Sequence, residues 1–170
     1  GVLDVEAPSP VICFYAVWAV LYGYFALKLD HDPETCLASE NSDTILLEPS
    51  ATSQDVGEKF RFCYYGFFAL TAVQLKIALA SHCTKSEICR QFLFLLVLIT
   101  SYTFIGLWLY LIYVRFSHPG KVCSGDFLQA GASEDGYLIE QGYFTAVIAW
   151  IMFVIFGCVY CISCGIAYSL

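Results

Sequence analysis

The sequence predicts an all-α protein, a four-helix transmembrane bundle with two polar, acidic loops on one side. Of its 170 residues, 59% are hydrophobic and only 14% are charged, far from the averages of soluble domains. Four long apolar stretches follow one another, at about 11–28, 60–81, 91–114 and 141–168. Each reaches the roughly 17–25 residues that a membrane-spanning helix needs. None alternates with a period of two, and residues 1–170 therefore form one predicted four-span membrane domain.

Two long connections and one short turn join these stretches. The first loop, from Asp30 to Glu58, contains eight acidic residues and no Lys or Arg. The second, from Arg115 to Glu140, is broken by Pro119 and by glycines, which are typical of irregular backbone. Residues 81–90 form the short turn, so the second and third spans are predicted to be antiparallel neighbours.

The acidic first loop has too little hydrophobicity and too much like charge to build a core alone. We therefore expect it to be mobile or to lie against a partner. Its one apolar triplet, Ile45 to Leu47, should contact the second long loop or another chain.

Basic residues near the span ends bear on orientation, because cytoplasmic ends are enriched in Lys and Arg. Raw numbers favour the side of the long loops over the side of the short turn. Five basic residues lie in or beside the ends of the long loops, namely Lys28, Lys59, Arg61, Arg115 and Lys121, whereas Lys76, Lys85 and Arg90 lie in or beside the short turn. The density of those three and the acidity of the loops favour a cytoplasmic short turn. We expect both termini on that same cytoplasmic side.

Composition argues against several functional classes. The net charge is −7 and no Lys/Arg cluster is present, so nucleic acid is not an expected partner. The histidines His31, His82 and His118 fall in three different loops, where they do not converge with a nucleophile. We predict that the protein is not an enzyme and has no catalytic residues.

No metal or cofactor site is predicted either. Residues 30–34 are rich in oxygen ligands but lack the ligand spacing and glycine of an EF-hand. Cys158, Cys161 and Cys164 resemble a metal-ligand run, but a fourth ligand is missing.

The cysteines support two other predictions. Cys36 and Cys123 are the single cysteines of the two long loops, and they are the candidates for a disulfide; the alternative is two free thiols in a reducing compartment. Cys13, Cys158 and Cys164 lie within or near the ends of the outer spans and are the candidates for reversible S-palmitoylation.

Small side chains recur every four residues along the last span, at Gly157, Cys161, Gly165 and Ser169. On a helix this spacing lines one face and allows a neighbouring helix to approach closely. We predict that these four residues form a helix-packing face.

The plan of four spans, two long loops on one side and a short basic turn on the other resembles that of MARVEL-type tetraspan membrane proteins. The resemblance covers the whole chain, while the segment from Gly120 to Leu128 matches no catalytic signature. Gly106-Leu107-Trp108 lies within a span and departs from the claudin pattern, in which Gly-Leu-Trp precedes paired cysteines in an outer loop. The resemblance implies membrane organisation, vesicle or junction association and oligomer formation.

The leading functional hypothesis is a structural or accessory membrane protein that acts by lateral association, as a homo-oligomer or with other membrane subunits. Its expected location is the plasma membrane or a vesicle, and its other partners are lipids. The runner-up is a subunit of an oligomeric channel or transport complex, and a third hypothesis is a peripheral subunit of an energy-transducing complex. Polar span residues would line a channel between chains: Thr71, Gln74, Thr100, Ser101 and Thr103.

Overall fold

A computed structural model describes the backbone of residues 10–31, 35–41, 43, 45–47, 53–83 and 86–169. Within these ranges, the side chains of residues 11, 29–31, 82, 155, 156 and 159–169 are outside the description. The described chain is mostly helical and contains five helices and two short strands. In chain order they are α1 (Pro10–His31), β1 (Leu37–Ser39), β2 (Ser53–Asp55), α2 (Val56–Cys83), α3 (Glu87–Phe116), α4 (His118–Cys123) and α5 (Ile139–Ser169).

The four long helices coincide with the four predicted apolar stretches and extend each by a few residues. Two of them are long and apolar enough to cross a membrane: Val56–Ser81 in α2, with mean hydropathy 1.4, and Glu87–Phe116, with mean hydropathy 2.2. Among the described residues, α1 and α5 contribute shorter apolar segments, Ile12–Lys28 and Ile139–Val154. The helical prediction is confirmed, and two candidate membrane-spanning helices are present.

The chain divides into two compact units, and the divisions fall inside α2 and α3. The first unit comprises residues 1–33 and 60–110, and the second comprises residues 34–59 and 111–170. No change in composition along the sequence indicates this division, because it cuts through apolar helices.

Aromatic packing holds the first unit together. The rings of Tyr22 in α1 and Phe67 in α2 stack with centroids 4.8 Å apart, and Phe104 of α3 lies 4.8 Å from Phe67. Gly66 permits a close approach between α2 and α3, since a Cβ there would lie 2.6 Å from Leu107 Cδ2. Aromatic rings from α1, α2 and α3 thus pack against one another, and the absence of a Cβ at Gly66 allows α2 and α3 to lie close together.

The second unit is built around the two short strands and α4. β1 and β2 are antiparallel, with Leu37 opposite Asp55 and Ser39 opposite Ser53. An all-α prediction does not include these strands. They are only three residues long and have no alternating pattern that the sequence would reveal.

The three residues of the apolar triplet in the first loop differ in their contacts and exposure. Leu47 forms an isolated antiparallel bridge with Ala38. Its Cδ1 packs near Gly136, where an added Cβ would lie 3.4 Å from it. The predicted contact with the second long loop is therefore confirmed for Leu47. Ile45 and Leu46 are instead 50% and 67% exposed.

Candidate functional site

The candidate site is the disulfide-linked part of the second unit, where the two long loops meet. Cys36 and Cys123 form a disulfide, with an S–S distance of 2.05 Å and a Cα–Cα distance of 5.8 Å. Both residues are completely buried. The structure therefore contains the disulfide that was predicted from the single cysteine in each loop.

Backbone hydrogen bonds tie each half of the disulfide to the start of a long helix. The Val56 amide, at the start of α2, donates to the Cys36 carbonyl over 3.0 Å. The Leu138 amide, immediately before α5, donates to the Cys123 carbonyl over 2.7 Å. The disulfide thus lies at the junction of two loop segments and two helix N-termini.

Side-chain caps satisfy backbone amides in the first turns of α2 and α4. The Asp55 carboxylate accepts from the Glu58 amide at the first turn of α2, and such caps satisfy amides that lack a helical partner. The Ser117 hydroxyl accepts from the Gly120 amide at the start of α4 and donates to the Val114 carbonyl. Ser117 therefore works as a cap, and its hydroxyl is engaged on both sides.

A buried arginine connects the end of α3 to the second loop and to α5. The guanidinium of Arg115 donates from Nη1 and Nη2 to the two carboxylate oxygens of Asp126, each over 2.8 Å. Its Nε–H donates to the Gly142 carbonyl, also over 2.8 Å. The Arg115 side chain is 8% exposed and that of Asp126 is 34% exposed. This bidentate pair and its third hydrogen bond fix the register of three segments.

Gly142 lies against the residue that follows the disulfide. A Cβ at Gly142 would lie 2.3 Å from Ser124 Oγ and 2.4 Å from Ser124 Cβ. Ser124 is buried, and its Oγ has no hydrogen-bond partner among the described residues. Only glycine at position 142 allows α5 to begin so close to Ser124 while its carbonyl accepts from Arg115.

A polar cavity of about 250 Å³ opens beside this junction. The residues that line it include Glu40, Lys59, His118 and Tyr113. The Lys59 ammonium donates a hydrogen bond to the side-chain carbonyl of Gln54, so one of its three donors is already used. The cavity is thus lined by both acidic and basic residues.

No group of three or more His, Cys, Asp and Glu within the described ranges is arranged to hold a metal ion. The interactions that the structure describes in this unit are a disulfide, a charge-assisted pair and helix caps.

The remaining predicted residues lie apart from this junction in sequence. Cys13 and Cys158 are exposed free thiols, while the side chain of Cys164 is outside the described residues. Gly157 is exposed, and a Cβ there would meet no atom within 4 Å. Its predicted partners on the packing face, Cys161, Gly165 and Ser169, are helical in backbone but have side chains outside the described residues.

Sequence reasoning did not single out Arg115 and Asp126 as partners. The available signal was an arginine directly after the uncharged apolar stretch 91–114, followed eleven residues later by an aspartate in the loop that contains Cys123. A charge at such a boundary is costly unless it is paired.

No protein-family model matches this chain, and no curated protein or solved structure matches it either.

Proposed function

We propose that this chain is an integral membrane protein that crosses the bilayer four times and acts structurally, by lateral association with itself or with other membrane subunits. The apolar surface of α3 is the observation that carries this proposal. In its most apolar window only 6% of the residues are buried. Large hydrophobic side chains there are exposed, including Phe92, Phe94, Leu95, Ile99, Tyr102 and Leu109. Lipid or other helices are the surroundings in which such a surface is stable.

The disulfide supports the same topology. Cys36 precedes α2 and Cys123 follows α3, so a bond between them requires both loops on one side of the membrane. Two crossings, by α2 and α3, return the chain to that side. Disulfides persist in oxidising compartments, which favours lumenal or extracellular loops and cytoplasmic termini, in the plasma membrane or a vesicle. The MARVEL-type plan implies the same arrangement.

The polar groups within the spans favour a structural role over a pore between chains. The Thr71 hydroxyl donates to the Phe67 carbonyl over 2.7 Å, and the Thr100 hydroxyl donates to the Leu96 carbonyl over 2.9 Å. The Gln74 amide lies 3.5 Å from Thr100 Oγ1, within the same unit. Groups that bond within their own chain offer fewer contacts to a hydrated pathway.

Two measurements test the proposal, one on membranes that contain the protein and one on the purified protein. Extraction of membranes with alkaline carbonate should leave the protein in the membrane fraction, and native mass spectrometry in mild detergent should show a regular oligomer or a complex. Release by carbonate would contradict the membrane assignment. Ion conductance of the purified chain in planar bilayers would favour the channel alternative, and co-purification with redox subunits would favour the energy-transducing one.

The small face of α5 provides the variant for the association test. Gly165→Ile should hold a partner helix away and lower the oligomer mass, because a branched side chain blocks close backbone approach. Ile166→Leu, about 100° around the helix, conserves volume and serves as the matched control. An unchanged oligomer mass in a well-folded Gly165→Ile protein would rule out this face as the intermolecular contact.

A further inference from the structure

A cavity between the end of α2 and the beginning of α3 is lined by both polar and apolar residues. It lies within the first unit and has a volume of about 690 Å³, in the range of ligand pockets in proteins. Glu87, Arg90 and Gln91 of α3 and Ser81 of α2 contribute its polar lining. Ile77 and Val97 are among the residues that contribute its apolar lining.

The two kinds of lining are separated along the helix axes. In α3, Arg90 lies in the first turn and Val97 lies seven residues further on, about 10 Å deeper at 1.5 Å per residue. In the antiparallel α2, Ser81 lies near the helix end and Ile77 lies one turn deeper. Polar groups therefore lie at the helix ends, and apolar groups lie toward the middle of the two candidate spans.

Net charge distinguishes the segment around the α2–α3 connection from the rest of the chain. Residues 76–90 contain Lys76, Lys85 and Arg90 against the single acid Glu87, a local net charge of +2, whereas the whole chain carries −7. The Arg90 guanidinium lies 3.5 Å from Glu87, and the two side chains are 61% and 72% exposed. An ion pair this exposed contributes little, so the guanidinium can exchange Glu87 for another anion.

We infer that this cavity binds an anionic phospholipid. The lipid phosphate accepts hydrogen bonds from the Arg90 guanidinium and the Gln91 amide, a geometry that arginine favours with phosphate. One acyl chain lies along Ile77, Phe94 and Val97. Basic pockets between membrane helices on the cytoplasmic side bind such headgroups. The inference rests on the part of the proposed function that puts α2 and α3 in a bilayer, and it does not depend on self-association.

Lipid binding to the purified full-length protein tests this inference. Native mass spectrometry in mild detergent compares phosphatidylglycerol with phosphatidylcholine of identical acyl chains. We expect phosphatidylglycerol to bind more tightly. Arg90→Gln should weaken its binding about fivefold, the equivalent of about 1 kcal/mol for one basic residue near an anionic surface. Glu87→Gln should strengthen it, because the competing carboxylate is removed.

A matched control distinguishes loss of the binding site from the effect of a change in net charge. Lys121→Gln makes the same change in charge but lies in α4, in the second unit, and it should leave phosphatidylglycerol binding unchanged. Val97→Trp fills the apolar part of the cavity and should weaken binding of the lipid without changing the charge. Gel filtration verifies that each variant is folded.

Three results would overturn the inference: no preference for phosphatidylglycerol, equal losses in Arg90→Gln and Lys121→Gln, or competition by soluble glycerophosphate as effective as that by the lipid. The last result would indicate a site for a free phosphate. If the protein stays in the membrane after carbonate extraction but shows no lipid preference, the lipid site is wrong and the proposed function stands. If carbonate releases the protein, both are wrong.

Discussion

Removal of the carboxylate from Asp126 should destabilise the second unit through Arg115. Asp126→Ala eliminates two hydrogen bonds of 2.8 Å. Among the described residues, the Gly142 carbonyl then remains as the hydrogen-bond acceptor of an Arg115 side chain that is 8% exposed. Breaking a buried ion pair from one side costs about 3–5 kcal/mol. The Asp126 side chain is 34% exposed, so water screens the pair, and we expect a loss of about 2–3 kcal/mol, as for a hydrogen bond to a charged group.

Thermal unfolding followed by gel filtration in mild detergent measures this loss, and Glu134→Ala is the matched control. Glu134 is an exposed acid in the same loop, so its removal makes the same change in net charge without touching Arg115. The control should change the free energy of unfolding by less than about 0.5 kcal/mol, as surface substitutions usually do.

A double-mutant cycle isolates the pair itself. Arg115→Met combined with Asp126→Ala should cost less than the sum of the two single variants, because the double variant contains no unpaired buried charge. Equal stabilities of Asp126→Ala and Glu134→Ala would refute the reasoning, and so would simple additivity in the cycle. Either result would mean that the loop is held by the disulfide and backbone bonds alone.

Two further predictions concern the same junction. Maleimide should label Cys36 and Cys123 only after reduction. Their joint replacement by serine should lower stability by about 2–4 kcal/mol. The chain-entropy model gives about 5 kcal/mol as an upper limit for a loop of this length, and we expect a smaller loss because α2 and α3 should remain helical without the disulfide. Labelling of both thiols without reduction would show that no disulfide forms. Gly142→Ala should cost about 1–3 kcal/mol by overpacking against Ser124, and Ser124→Gly in the same protein should recover at least half of that loss in a thermal-unfolding assay. A Gly142→Ala protein as stable as the parent would contradict the close approach.

The sequence predicted the helices because helix formation in apolar stretches depends on local information. Long runs without charge specify both the length and the conformation, since an unsatisfied backbone in lipid is costly. The ends are also partly local: the short turn between α2 and α3 follows directly from polar residues between two such runs. The Cys36–Cys123 disulfide was predictable because each long loop holds a single cysteine.

The strands and the Arg115 pair were not predictable in the same way. β1 and β2 are three residues each, and they pair across a loop of which the sequence shows only the acidic, irregular character. Likewise, a charge at the end of an apolar stretch indicates that Arg115 needs a partner. It does not identify Asp126 as that partner, because the contact requires the turn of α4 and the loop after it.

By itself, the sequence determined the helical class, the four apolar stretches, the acidic loops and the two cysteines that pair. Hydrophobicity and charge are properties of each residue and accumulate along the chain, so they can be read without coordinates. Only the tertiary structure decided which arginine is buried, which glycine lies against Ser124 and where the α2–α3 cavity opens. These features depend on distances between residues far apart in the chain, and such distances are set by side-chain packing, in which a single missing Cβ at Gly66 or Gly142 determines how closely two segments approach.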